Sequence, residues 1–137
     1  MTAMLPHAPD DVEELVVVWL TPLGDTAITR RTGDPLPFRL VRTLGGEECK
    51  DEETADFVVT VRTICDKNLG EAAAAAESVL THRRILELGR YLSDVPLSSG
   101  RNASIDYLDV FESPVWVNYS DEHLCKLARY KIGLSYA

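Results

Sequence analysis

The sequence predicts an α+β domain: a mostly antiparallel sheet of four to six strands, with an N-terminal helix and a long alanine-rich helix on one face. Three stretches carry this expectation. Ala128, Tyr130, Ile132, Leu134 and Tyr136 alternate with Arg129, Lys131, Gly133 and Ser135, the period of two that a half-buried strand requires. Phe57, Val59, Val61, Thr63 and Cys65 alternate in the same way with Val58, Thr60, Arg62 and Ile64, residues that pack well on a pleat. Between these stretches, the run of alanines from Ala72 to Ala76 leads into Val79, Leu80, Ile85 and Leu86, a strong helix former.

In chain order, residues 1–8 read as a loose lead-in to a single domain spanning 1–137. Pro9, Asp10 and Asp11 mark a helix start, because carboxylates favour the positive end of the helix dipole. Val12, Leu15, Val16, Trp19 and Leu20 form its apolar face, although Val16-Val17-Val18 would also suit a strand. Thr21 to Asp25 ends the helix, and Thr26 to Arg31 is a short strand. Thr32 to Pro35 is a turn by composition, and Leu36 to Leu44 is a further strand that Gly45-Gly46 breaks. Glu47 to Glu53 then reads as a surface loop, since Glu47, Glu48, Asp51, Glu52 and Glu53 repel one another and demand solvent. After the strand Thr54 to Cys65, Asn68 and Glu71 have capping-box spacing at the start of the long helix, which ends near Leu88-Gly89. Arg90 to Arg101 is irregular. Ala103 to Glu112, then Val115 to Tyr119 as another strand or its continuation, and Leu127 to Tyr136 complete the strands, with a turn through Asn118 to Glu122.

A chain of 137 residues buries enough surface to fold without a metal or disulfide staple. The net charge of −8 argues against a protein that grips nucleic-acid phosphates. Cys49, Cys65 and Cys125 lack zinc-site spacing and read as free thiols. The N-terminus has neither the basic nor the apolar region of a secretion signal, and the longest apolar run, Leu15 to Leu20, is too short to span a bilayer. The expectation is a soluble protein made inside the cell.

No catalytic, metal or cofactor motif stands out, so the sequence reads as a non-enzyme with no cofactor. His82 lies among Arg83 and Arg84 on a helix exterior. His123, beside Asp121 and Glu122, reads as part of an acid-rich turn. Gly45-Gly46 lacks the lysine and context of a phosphate loop. What is left over is the acidic stretch Glu47–Glu53 and the second face of the last strand, with Arg129 and Lys131 near Tyr119, Tyr130 and Tyr136. That face is either solvated or a contact between copies, where Tyr and Arg are enriched.

The order of these features resembles the tail terminator, or tail completion, proteins of long-tailed double-stranded-DNA bacteriophages. The resemblance runs from Asp11-Val12-Glu13 through Leu36-Pro37-Phe38-Arg39-Leu40-Val41-Arg42 and Gly45-Gly46 to Phe57–Val61 and the helix from Glu71. It closes with Ser113-Pro114-Val115-Trp116, Tyr119, Asp121 and Arg129-Tyr130. It implies a virion structural protein at the tail–head junction, assembled in the host cytoplasm as a ring, usually hexameric. Such a ring caps the tube of major tail protein, ends its polymerisation and meets the head-to-tail connector. Genomic DNA passes through its lumen without specific binding, and no membrane is involved. Under that expectation Glu47, Glu48, Asp51, Glu52 and Glu53 face the lumen or a partner, and Arg129 and Lys131 contact a neighbouring subunit or the tube. A head-completion or neck connector protein and a small-molecule- or peptide-binding regulatory module are the alternative readings.

Overall fold

The computed structural model describes residues 9–49, 54–91, 94–98, 100 and 102–136. Helix α1 (Pro9–Leu20) is followed by strands β1 (Thr26–Ala27), β2 (Phe38–Cys49) and β3 (Thr54–Asp66), helix α2 (Glu71–Tyr91), and strands β4 (Asp94–Pro96), β5 (Asn102–Ser120) and β6 (His123–Tyr136). The fold is α+β, as expected. Its six strands form one sheet in the order β1-β2-β3-β6-β5-β4. The sheet is mixed, because β1 joins β2 in parallel while the other neighbours are antiparallel.

Both helices lie on one face. Val12, Leu15, Val16 and Leu20 of α1 and Ile85 and Leu88 of α2 share a core with Val59 and Val61 of β3 and Tyr130, Ile132 and Leu134 of β6. Packing of this apolar stripe outweighs the modest helix propensity of the valine run, so α1 is a helix with Val16 buried and Val18 outside. The two helices clasp one another. Trp19 Nε1 donates to the Arg84 carbonyl at 2.6 Å, and Arg84 Nε donates to the Trp19 carbonyl at 2.9 Å. The guanidinium also sits 4.0 Å from the Trp19 ring centroid. Helix α2 comes close to β5 at Gly89, where a β-carbon would stand 2.6 Å from Leu108 Cβ.

The local differences from expectation have identifiable causes. Gly45-Gly46 does not break β2. The register shifts between Thr43 and Gly45, and the ladder resumes with Gly45 opposite Val58 and Gly46 opposite Phe57. A bulge absorbs what reads in sequence as an interruption. Asn68 is not a helix cap. Asp66 caps a short 3-10 turn, Lys67–Leu69, by accepting the Asn68 amide at 2.8 Å. The Gly70 carbonyl then accepts from Ala74 at the start of α2. The helix runs to Tyr91, past Gly89. The segment read as irregular holds β4. Of the two readings of Val115–Tyr119 the continuation holds: it prolongs Ala103–Glu112 as one long strand with several register shifts. The β5–β6 turn is only Asp121-Glu122. The short strand read over Thr26–Arg31 is limited to Thr26–Ala27.

His82 is not on a helix exterior but half-buried over the sheet, its Nδ1 2.7 Å from the Tyr130 hydroxyl. Burial holds its pKa below the usual 6.5. The unfolded chain therefore takes up this proton first. The stability tied to the neutral ring is complete above pH 6.5 and is lost as pH falls through the folded value. His82→Gln is expected to flatten the fall of melting temperature on the acid side of pH 6.5, read by thermal scans at a series of pH values.

Candidate functional site

The face of the sheet opposite the helices is only partly covered. At one end Phe38, Ile64 and Cys125 form a small second cluster with Leu36, Leu40 and Val117 packed on it. The rest of that face holds the alternate residues of β6. Ala128, Tyr130, Ile132 and Leu134 are buried on the helix side, which leaves Arg129 and Lys131 on the open side, as their spacing requires. Arg129 stands opposite Glu112 of β5 and donates to its carboxylate through Nη1. Lys131 stands opposite Asp109, is exposed, and has no ion-pair partner among the described residues. Further along, Tyr107 reaches over Gly133 to donate its hydroxyl to Asp56 Oδ1 at 2.6 Å. Tyr107 loses its proton far less readily than an ordinary tyrosine, through burial first and the Asp56 carboxylate next.

The two predicted groups of site residues therefore separate. Arg129 is engaged within its own chain, while Lys131 is available. Glu47 and Glu48 are not in a loop: β2 sets them opposite Asp56 and Ala55 of β3. They extend the ladder because the bulge before Gly45 restores pairing beyond the glycines. Asp51, Glu52 and Glu53 lie outside the described residues, as do residues 1–8.

These two basic residues respond differently to substitution. Arg129→Glu places a carboxylate opposite Glu112 and is expected to lower folding stability by about 1 kcal/mol, the scale of a partly exposed pair. Lys131→Gln is expected to leave the melting temperature unchanged, so any effect on association isolates the surface role. Urea titration of both variants checks the contrast.

The feature that sequence periodicity missed is the outer edge of β5. Strand β4 covers only Asn102–Ser104, and among the described residues no strand pairs with β5 beyond that point. Along the uncovered length Val110, Phe111, Val115, Trp116 and Tyr119 are all exposed, Phe111 to 66 %. No charged residue lies between Ser113 and Ser120. An exposed, apolar, uncapped edge is what natural sheets ordinarily avoid. Two signals of it were in the sequence: the run Val115-Trp116-Val117 breaks apolar–polar alternation, and Pro114 belongs on a strand with one side unpaired.

The β5–β6 turn brings Ser120 and His123 together, with the Ser120 hydroxyl bonded to His123 Nδ1. The same hydroxyl accepts the Glu122 amide at 3.2 Å, and Tyr119 meets the imidazole edge-on. Among the described residues no third side chain bonds the imidazole, and the two bonds of the Ser120 hydroxyl close the turn. Cys65 and Cys125 are free and buried, and burial pushes both thiols up to about 11. They are poor nucleophiles at neutral pH. No helix among the described residues is long and apolar enough to cross a membrane. No protein-family model matches the chain, and no curated protein matches it.

Proposed function

We propose that this protein is a structural subunit that assembles with copies of itself into a ring, and that the ring is a phage tail terminator. In this reading it caps the tube of major tail protein, ends polymerisation and offers the head connector a docking surface. The genome passes through the lumen without specific binding, and the subunit performs no catalytic step. The observation that carries the reading is the unpaired apolar edge of β5, with Phe111 exposed to 66 %. An apolar surface of this kind on an acidic chain suits burial against another protein better than solvation. The net charge of −8 per copy is in keeping with a lumen past which DNA slides.

The test is incubation of the purified protein with tail tubes, followed by sedimentation and electron microscopy. Rings seated on tube ends are the expected result, and a protein that never associates with tubes would refute it. Deleting the gene separates this role from a neck role. Overlong tails indicate a terminator, whereas normal tails with unjoined heads indicate a neck protein.

A further inference from the structure

Helix α2 presents one row of side chains to the sheet and another to solvent. Ala74, Ser78, Thr81, Ile85 and Leu88 are buried. On the far side Ala72, Ala76, Val79, Arg83, Leu86 and Arg90 are all exposed. Their spacings of four, three, four, three and four residues keep them in one row along the helix. Val79 is 45 % and Leu86 38 % exposed, and Leu80 on the flank is 47 % exposed. A helix that packs only on its own sheet carries polar residues there. This row instead has the alternating spacing of a helix that packs against a second helix. The other α-helix among the described residues does not fill that role, because α1 meets α2 through Trp19 and Arg84, outside the row.

The row is complementary to itself when reversed. In an antiparallel helix pair, residues opposite one another have numbers with a constant sum. At a sum of 162, Ala72 stands opposite Arg90, Ala76 opposite Leu86 and Val79 opposite Arg83. Each pairing sets a smaller residue of the N-terminal half against a larger one of the C-terminal half, which close packing requires. Charge agrees when every charged residue at the two ends is counted. Asp66, Lys67 and Glu71 are two acids against one base, a formal −1. Arg83, Arg84, Glu87 and Arg90 are three bases against one acid, a formal +2, and adding Asp94 beyond the helix still leaves +1. Glu77, between the ends, is taken up by Arg39. An antiparallel pair therefore sets negative against positive at both ends, and opposes the two helix dipoles favourably. A parallel pair would set like against like.

We propose that this row is covered by the same row of a second copy, the two α2 helices packing antiparallel across a two-fold axis near Thr81. Such a contact is isologous: each copy offers the same patch, and the pair propagates no further. The inference goes beyond the ring reading and does not depend on it, since the pair uses α2 and not the edge of β5.

Sedimentation velocity over a series of concentrations is expected to show a monomer–dimer equilibrium. Leu86→Glu is expected to raise the dissociation constant about tenfold or more, the scale of one lost leucine contact. Its circular dichroism and its melting temperature in dilute solution are expected to stay those of the parent, because Leu86 is exposed in the single chain. Register is read by disulfide formation in a Cys49→Ser background, in which the remaining cysteines are buried and their thiols unreactive at neutral pH. Ala76→Cys and Leu86→Cys chains, one of them enlarged by a tag, are mixed and oxidised. A dimer of one tagged and one untagged chain is expected, since the two positions face each other and a disulfide needs Cα atoms within about 7 Å. Either variant alone is expected to give little product, because equivalent positions lie ten residues, about 15 Å, apart along the axis. A protein that stays monomeric at every concentration overturns the proposal. A dimer that persists in Leu86→Glu, or that links Leu86→Cys to itself, forms through another face and overturns it as well.

Discussion

Glu77→Ala is expected to lower folding stability by about 3 kcal/mol, because it strips a buried guanidinium of its only carboxylate partner among the described residues. Arg39 sits on β2 with its side chain 1 % exposed, wedged beneath α2. Its Nε donates to Thr81 Oγ1 at 2.8 Å and its Nη2 meets Glu77 at 3.4 Å. Thr81 in turn donates to the Glu77 carbonyl at 3.0 Å and accepts from Thr63 of β3 at 3.2 Å. The network ties β2, β3 and α2 together. Glu77 is 26 % exposed and can be solvated if its partner is removed, whereas Arg39 cannot. Arg39→Met is therefore the milder change, since it keeps the apolar stem and removes the charge. The double variant Arg39→Met/Glu77→Ala is expected to recover most of the loss, so the double-mutant cycle shows strong coupling. Urea unfolding with an unchanged slope reads all three values. A double variant as unstable as the sum of the singles would mean that the two side chains act independently.

The same residue shows how far a sequence can be read. Arg39 lies in a stretch whose alternation marks a strand, and by parity it faces the helices. Nothing local says that the partner waiting there is a glutamate 38 residues further along. Elements set by periodicity were legible: both helices, β3, and the two sides of β6. The bulge set by glycine was not. Gly45-Gly46 reads as an interruption because glycine weakens a ladder locally. The structure accommodates the pair by a bulge in β2. The candidate site divides along the same line. Alternation places Arg129 and Lys131 on the open face, but only the hairpin register reveals that Glu112 neutralises one of them. Edge position is a property of sheet order: Pro114 and the run Val115-Trp116-Val117 hint at it, but only the order of the strands shows that Phe111 is exposed.

The substitution that best exposes this dependence on register is Gly133→Ala. Alanine suits a strand better than glycine, so local preference alone predicts a gain of about 0.5–1 kcal/mol. The expected result is the opposite, a loss of about 2 kcal/mol, within the range for overpacking a closed site. Tyr107 crosses β6 at this position, and a β-carbon on Gly133 would stand 2.1 Å from its Cε1 and 2.4 Å from its Cδ1. The ring cannot yield without giving up the bond from its hydroxyl to Asp56 on β3, a clasp that spans β5, β6 and β3. Two costs therefore combine, displacement of the ring and loss of a hydrogen bond to a carboxylate. Both vanish if Tyr107 is first reduced to alanine. In the Tyr107→Ala background Gly133→Ala is expected to stabilise, reversing its sign, and thermal unfolding of the four proteins measures the reversal. A loss of equal size in both backgrounds would place the constraint in the backbone of β6 instead. A reversal would show that glycine is required there only because a side chain from the neighbouring strand occupies the space its own would fill.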